Sequence, residues 1–131
     1  MNELIHKNLT NEIIKCFYTV YNTLGYGFLE KVYENAMILE LTAIGVKAEK
    51  QRPIEVYYKM MLVGTYFADI IVEDKIILEL KTAEYLMEEH EAQLINYLKA
   101  TNIEVGLLLN FGKEPEFKRK IFTQDFKKTN H

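Results

Sequence analysis

Asp69, Glu79 and Lys81 are the residues of this chain best suited to chemistry, because they set three charges into two strongly apolar segments. Valine, isoleucine and aromatic residues dominate residues 66–72 and again 75–80, and Glu73, Asp74 and Lys75 supply polar turn residues between them, so the stretch reads as a β-hairpin. A three-residue loop at 73–75 sets Val72 opposite Ile76 and Asp69 directly opposite Glu79, about 5 Å apart at Cβ. Lys81, two residues on, shares their face. A two-residue turn would instead make the carboxylates diagonal neighbours, so the chemistry hangs on loop length. Ala68, Ile70, Val72, Ile76, Leu78 and Leu80 fall on the other face, while Phe67, Ile71 and Ile77 flank the charges. Both faces are therefore expected to be covered, with the hairpin central in its sheet. An isolated buried carboxylate costs several kcal/mol unless a cation or hydrogen-bond donors compensate it. Lys81 can neutralise one of the pair; a divalent cation can neutralise both. The plainer alternative is a cross-strand salt bridge at a strand end.

The elements that must position these groups follow from periodicity. Leu9, Ile13, Cys16, Phe17, Val20, Tyr21 and Leu24 recur at helical spacing, which predicts a helix over 8–24 that Thr10 or Asn11 caps and Gly25-Tyr26-Gly27 ends. A second helical pattern runs from Leu29 to Leu41 and stops at Gly45, with Glu30 in its first turn, where the helix dipole alone would favour a carboxylate. Residues 46–51 read as a strand, Arg52-Pro53 as a break, 54–58 as another strand, and 59–61 as the turn into the hairpin. Pro53 favours a sheet edge or a strand start. A helix is expected over 84–100, with Leu86, His90, Gln93 and Tyr97 on one side and Met87, Leu94 and Leu98 on the next. Gln93 and Tyr97, one turn apart, suit a phosphate, a base or the Lys81 side chain, or simply mark the helix boundary. His90 has no second His or Cys nearby and reads as a cap or packing residue, not a zinc ligand. Residues 103–110 form a near-continuous apolar strand after a crossover helix, which predicts a parallel pairing and a mixed sheet. Residues 119–123 add a last edge strand.

At 131 residues the chain is expected to form one domain that buries about two thirds of its unfolded surface. The single cysteine, Cys16, lies in a helical pattern, reads as core and excludes an intrachain disulfide. The first residues hold no apolar run of signal-peptide length, and no stretch approaches the ~20 apolar residues of a membrane span, so a cytoplasmic protein with no membrane partner is expected. Net charge is −3, which is not the footprint of a protein holding duplex DNA by charge alone. Its distribution is uneven: residues 1–110 carry 10 basic and 16 acidic side chains, residues 111–131 carry 6 and 3. That basic tail is either a phosphate contact or a solvated face.

The spacing of Asp69 and Glu79-Leu80-Lys81 resembles the signature of the PD-(D/E)xK nuclease superfamily. The predicted order of elements is similar to that superfamily's restriction-endonuclease-like αβββαβ core, an α/β fold with a central mixed β-sheet flanked by helices, over residues 9–110 with 111–131 as an extension. Gly27-x-x-Glu30-x-x-Tyr33 resembles the motif of the GxxExxY family within it, and His90-Glu91-Ala92-Gln93-Leu94-x-x-Tyr97-Leu98 resembles that family's helix, its Gln-x-x-x-Tyr element being similar to that of RecB-type nucleases. Ala68 replaces the nominal Pro before Asp69, and Tyr26 stands where Pro is frequent between the glycines; neither change removes a ligand.

The resemblance implies a nuclease that hydrolyses phosphodiester bonds in nucleic acid, DNA foremost. It assigns Asp69, Glu79 and Glu30 to an acidic site for Mg²⁺ or Mn²⁺, Lys81 to catalysis, and Gln93 and Tyr97 to support of the substrate or the site. The Leu80 carbonyl completes a hard oxygen donor set suited to such ions. The rival reading is a non-catalytic binding or regulatory module on the same fold, favoured by the acidic run Glu84, Glu88, Glu89 and Glu91, which repels phosphates. A homodimer or another protein partner stays open.

Overall fold

The computed structural model describes residues 5–123. Two helices, α1 (Lys7–Leu24) and α2 (Glu30–Ala43), precede three strands, β1 (Ala48–Tyr58), β2 (Met61–Val72) and β3 (Ile76–Lys81). Helix α3 (Glu88–Lys99) then leads to β4 (Val105–Phe111) and β5 (Pro115–Ile121). The strands form one sheet in sequence order, antiparallel throughout except for the parallel pair β3 and β4. The expected αβββαβ order runs from α2 to β4, with α1 added before it and β5 after it. This is the α/β, mixed-sheet architecture that the periodicity predicts. Among the described residues no helix is long and apolar enough to cross a membrane.

Strand β3 is the middle of the sheet and is buried on both faces from Ile76 to Leu80. On one face Ile13, Phe17 and Val20 of α1 and Tyr33, Met37 and Leu41 of α2 pack on Ile70, Val72, Ile76, Leu78 and Leu80. On the other, Leu94, Tyr97 and Leu98 of α3 cover Ile71, Ile77 and Leu108. Cys16 is buried in the first of these cores, as its helical position predicts. Helix α3 sits close on β4 because Gly106 has no side chain: a Cβ there would lie 2.6 Å from Cδ1 and 2.9 Å from Cγ of Leu94.

Several boundaries differ from expectation. The predicted break at Arg52-Pro53 is absent; β1 is one strand, and only Gln51, at φ 52°, falls out of the ladder between the Lys50–Ile70 and Arg52–Ala68 pairs. Pro53 is accommodated because β1 is an edge strand with no partner on its far side. Neither Thr10 nor Asn11 caps α1, which starts after a left-handed His6 and takes both inside. Helix α3 begins at Glu88, four residues later than expected, and β5 begins earlier, at Pro115. Ala68 lies with the α3-side core and not with Ile70, while Phe67 is 53% exposed, so the expected cover on both faces fails at the carboxylate end of the hairpin.

Gly106→Ala forces a methyl into the fully buried Leu94 side chain, and overpacking of this kind costs about 1–3 kcal/mol. The urea midpoint is expected to fall with the slope unchanged; a midpoint equal to that of wild type contradicts the close seating of α3.

Candidate active site

The register that the acidic pair requires is formed. Val72 pairs with Ile76, Ile71 with Ile77 and Ile70 with Leu78 around a three-residue loop whose Glu73 and Asp74 both take positive φ. The ladder ends there, and the next opposed residues are Asp69 and Glu79. Side chains take over from backbone at that point: Glu79 Oε2 accepts the Asp69 N–H at 2.9 Å, and Asp69 Oδ2 accepts the Leu80 N–H at 2.8 Å. Each carboxylate thus satisfies a backbone donor of the opposite strand that the sheet leaves unpaired. Because the N–H and C=O of one strand residue point to the same edge, the Leu80 carbonyl also faces this gap.

The electrostatics are unbalanced. Glu79 is only 4% exposed, and burial, reinforced by the Asp69 charge, pushes its carboxyl up to about 8. Burial also raises Asp69, with the Glu34 charge adding to it, against the opposing Leu80 N–H, Lys81 and Gln51. Lys81 is half-buried and favours the ionised form of both carboxylates, yet among the described residues it forms no salt bridge with either. The plain cross-strand ion pair is therefore not what holds this end of the hairpin. A buried carboxylate facing a half-buried one, with incomplete compensation, makes a hard oxygen site that fits a divalent cation. Among the described residues no three His, Cys, Asp or Glu side chains converge into a group that could hold a metal ion, so Glu30 is not assembled with the pair.

Glu30 is exposed at the first position of α2 and acts on Glu79 only as a weak, unfavourable charge. One turn further on, Glu34 is only 4% exposed, and its Oε2 accepts a hydrogen bond from Gln51 Nε2 at 3.0 Å. Its Oε1 has no hydrogen-bond partner among the described residues and lies 3.6 Å from the Lys31 ammonium. Gln51 reaches both Glu34 and Asp69 from its left-handed backbone position. Sequence reasoning missed both residues. Glu34 had a signal, since Glu34, Met37 and Leu41 recur at the spacing of an apolar stripe; Gln51 had none. The Gly and Tyr of Gly27-x-x-Glu30-x-x-Tyr33 are architectural. Gly27 takes φ 110°, and the Tyr33 hydroxyl donates to the Gly25 carbonyl at 2.7 Å and accepts the Phe28 N–H at 3.3 Å. Its ring stacks on Phe111 at 4.2 Å.

From the other side of the sheet, α3 brings Tyr97 against the pair. Tyr97 is buried, and burial together with the Glu79 and Asp69 charges pushes its phenol up to about 12. Gln93, one turn earlier, is exposed and lines a groove of about 830 Å³ with Tyr97, Tyr66 and Tyr57. His90 caps α3, its Nδ1 accepting the Met87 N–H at 3.0 Å. The segment between Lys81 and α3 is pinned by two residues the sequence did not flag. Asn110, fully buried and paired in register with Lys81, accepts from the Ala83 N–H and donates to the Ala83 carbonyl, both at 2.9 Å. Glu116 Oε1 accepts the Leu86 N–H at 3.1 Å. Of the basic tail, Lys118 pairs with Glu91 at 2.9 Å and Lys120 pairs with the same carboxylate, holding it down to about 2. Those two cations are committed to α3, and Lys127 and Lys128 lie outside the described residues.

A family model for the PD-(D/E)XK nuclease superfamily matches residues 7–121, and the chain belongs to that superfamily. Among solved structures it is similar to the crystal structure of SSO0001, with a TM-score of 0.58 and 19% identity. That match covers 95% of this chain, which spans 62% of the length of the other. No curated protein matches it.

The Glu79 shift fixes a pH dependence. In the unfolded chain this carboxyl titrates near its ordinary 4.5, so between there and about 8 the folded protein holds a proton that the unfolded chain has released. Metal-free protein is expected to lose stability as pH rises from about 5 to about 8, and Glu79→Gln is expected to flatten that slope. Urea midpoints across the window check this; a level wild-type profile, or an equal slope in the variant, contradicts it.

Proposed function

We propose that the protein is a Mg²⁺- or Mn²⁺-dependent nuclease of the GxxExxY branch, hydrolysing phosphodiester bonds in nucleic acid, DNA foremost. The observation that carries this reading is the Asp69–Glu79 pair, opposed across the end of the β2–β3 ladder with Lys81 beside it and no salt bridge closing it among the described residues. Membership of a nuclease superfamily supplies the reaction class. Asp69, Glu79 and the Leu80 carbonyl would hold the ion, with Glu30 at the open mouth of the site acting through water. When bound, the ion supplies polarisation of the scissile phosphoryl group and a lowered pKa for a ligand water.

The chain's own residues do the rest. Lys81 presents an ammonium to the charge that develops on the phosphate and orients the attacking water. The ionised form of Glu79 would be favoured by a cation held here, its proton passing to solvent. Tyr97, kept neutral by its surroundings, offers a hydroxyl donor beside the pair, and Gln93 adds an amide at the groove above it. Asn110 and Glu116 hold the Lys81 end of β3 and the start of α3 in place, so that the two halves of the site keep their spacing. The acidic residues Glu84, Glu88 and Glu89 favour the second reading, a binding or regulatory module that cleaves nothing.

Lys81 separates chemistry from metal binding, because an ammonium is a poor ligand and a good partner for phosphate charge. In Lys81→Ala and Lys81→Met, cleavage is expected to fall ~100-fold or more, about 3 kcal/mol, while titration calorimetry still records Mg²⁺ or Mn²⁺ binding. The Asp69→Ala, Glu79→Ala double variant is expected to lose that binding heat. Wild-type cleavage in either Lys81 variant contradicts the catalytic role. If wild type leaves single, double, branched and nicked DNA and RNA intact with both metals, the binding-module reading stands instead.

A further inference from the structure

We propose that the groove between α3 and the protruding ends of β1 and β2 is a base-stacking subsite, which takes unpaired bases of a single-stranded nucleic acid beside Asp69 and Glu79. The inference rests on the nuclease reading for what happens to the phosphate, and it adds the kind of strand the site accepts. Strand β3 pairs only with residues 70–72 of β2, so 61–69 of β2 and its β1 partners run on beyond it as a two-stranded arm. The arm faces α3 across the 830 Å³ groove, a volume within the ~300–1,000 Å³ of small-ligand pockets.

The lining has the chemistry of a base and not of a phosphate chain. Tyr57 and Tyr66 come from the arm and Tyr97 from α3, with the Gln93 and Asn96 amides between them. The Tyr66 and Tyr97 rings lie 5.7 Å apart at 42°, too tilted to stack fully on one another, and Tyr66 stays 49% exposed. The exposed rings of Tyr57 and Tyr66 beside amide groups suit bases, because stacking tolerates any base and the amides can bond base edges. Glu55 and Glu89 outnumber Lys99 on the walls, which repels a phosphate backbone laid along the groove but not a neutral ring.

The subsite is continuous with the acidic pair. Tyr66 is three residues before Asp69 on the same strand, and the Tyr97 hydroxyl feels the charges of both Asp69 and Glu79. A base stacked on the exposed face of Tyr66 therefore sets its own phosphate near the pair. Duplex DNA keeps its bases stacked inside and offers chiefly phosphates, for which a chain of net charge −3 has little attraction.

Fluorescence anisotropy with labelled DNA and RNA oligonucleotides, in EDTA and again in Ca²⁺, tests this without requiring cleavage. Single strands are expected to bind more tightly than blunt duplexes of the same sequence. Tyr66→Ala is expected to weaken single-strand binding by roughly 10-fold or more, and Tyr66→Phe to restore it. A strand with abasic positions should bind wild type weakly and lose nothing further in Tyr66→Ala. Thermal melts identify any variant that fails to fold, and Tyr57→Ala then serves in its place. Equal affinity for single strands, duplexes and abasic strands overturns the proposal, as does unchanged binding by folded Tyr66→Ala, or no binding to any strand. Sedimentation showing that the arm variants break a dimer assigns the groove to a second copy and also overturns it. Intact stacking without metal-dependent cleavage overturns the nuclease reading instead, so the two failures are distinct.

Discussion

At the end of the β2–β3 ladder, two carboxylates replace the backbone pairing that the strands abandon. Asp69 and Glu79 each accept an N–H from the opposite strand, so the sheet opens without leaving those donors unpaired. The cost is electrostatic, since both groups resist ionisation in this position and Lys81 relieves them only in part. Much of the surrounding structure serves to keep that arrangement in place. Strand β3 is held between β2 and β4 with both faces packed, Asn110 fixes the chain just past Lys81, and Tyr97 closes the α3 side. A hairpin with apolar residues at these two positions would zip further and leave no site.

The hairpin register was legible because three polar residues sat between two apolar runs and the side-chain alternation of strands then left one pairing that faced the carboxylates together. The order of elements was legible for a similar reason: one helix gave way to another at Gly25–Gly27, helix to strand at Gly45, and strand to a helical pattern after Lys81. The failures have physical causes. Gln51 carries no trace of its left-handed backbone, so a ladder defect in β1 read as a break at Pro53. Residues 84–87 continue the helical pattern of α3 in composition, but Asn110 holds the Ala83 backbone just before them and Glu116 accepts the Leu86 N–H, so the chain bends there instead of starting the helix. Those clamps come from β4 and β5, far along the chain. Phe67 alternates like a covered residue, yet among the described residues it stays 53% exposed.

The Gly-x-x-Glu-x-x-Tyr motif divides into parts with different work. Tyr33 ties down the turn between α1 and α2 from inside the core, and Gly27 supplies backbone geometry there. Glu30 is left exposed at the helix start, while Glu34 is the carboxylate that α2 buries next to Gln51. The motif, of which only Glu30 was expected in the site, is thus largely a device that seats α2 against the sheet. Its acidic member stays exposed at the helix start and acts on Glu79 only as an unfavourable charge.

The account stands on the claim that the Asp69–Glu79 pair is a cation site. An anomalous difference map from crystals soaked in Mn²⁺ tests that most directly. The predicted result is one strong peak about 2.0–2.2 Å from an oxygen of each carboxylate, with the Leu80 carbonyl facing it and the Lys81 ammonium displaced to the rim. A map with no peak at saturating Mn²⁺, and the Lys81 ammonium lying between the two carboxylates, would contradict it.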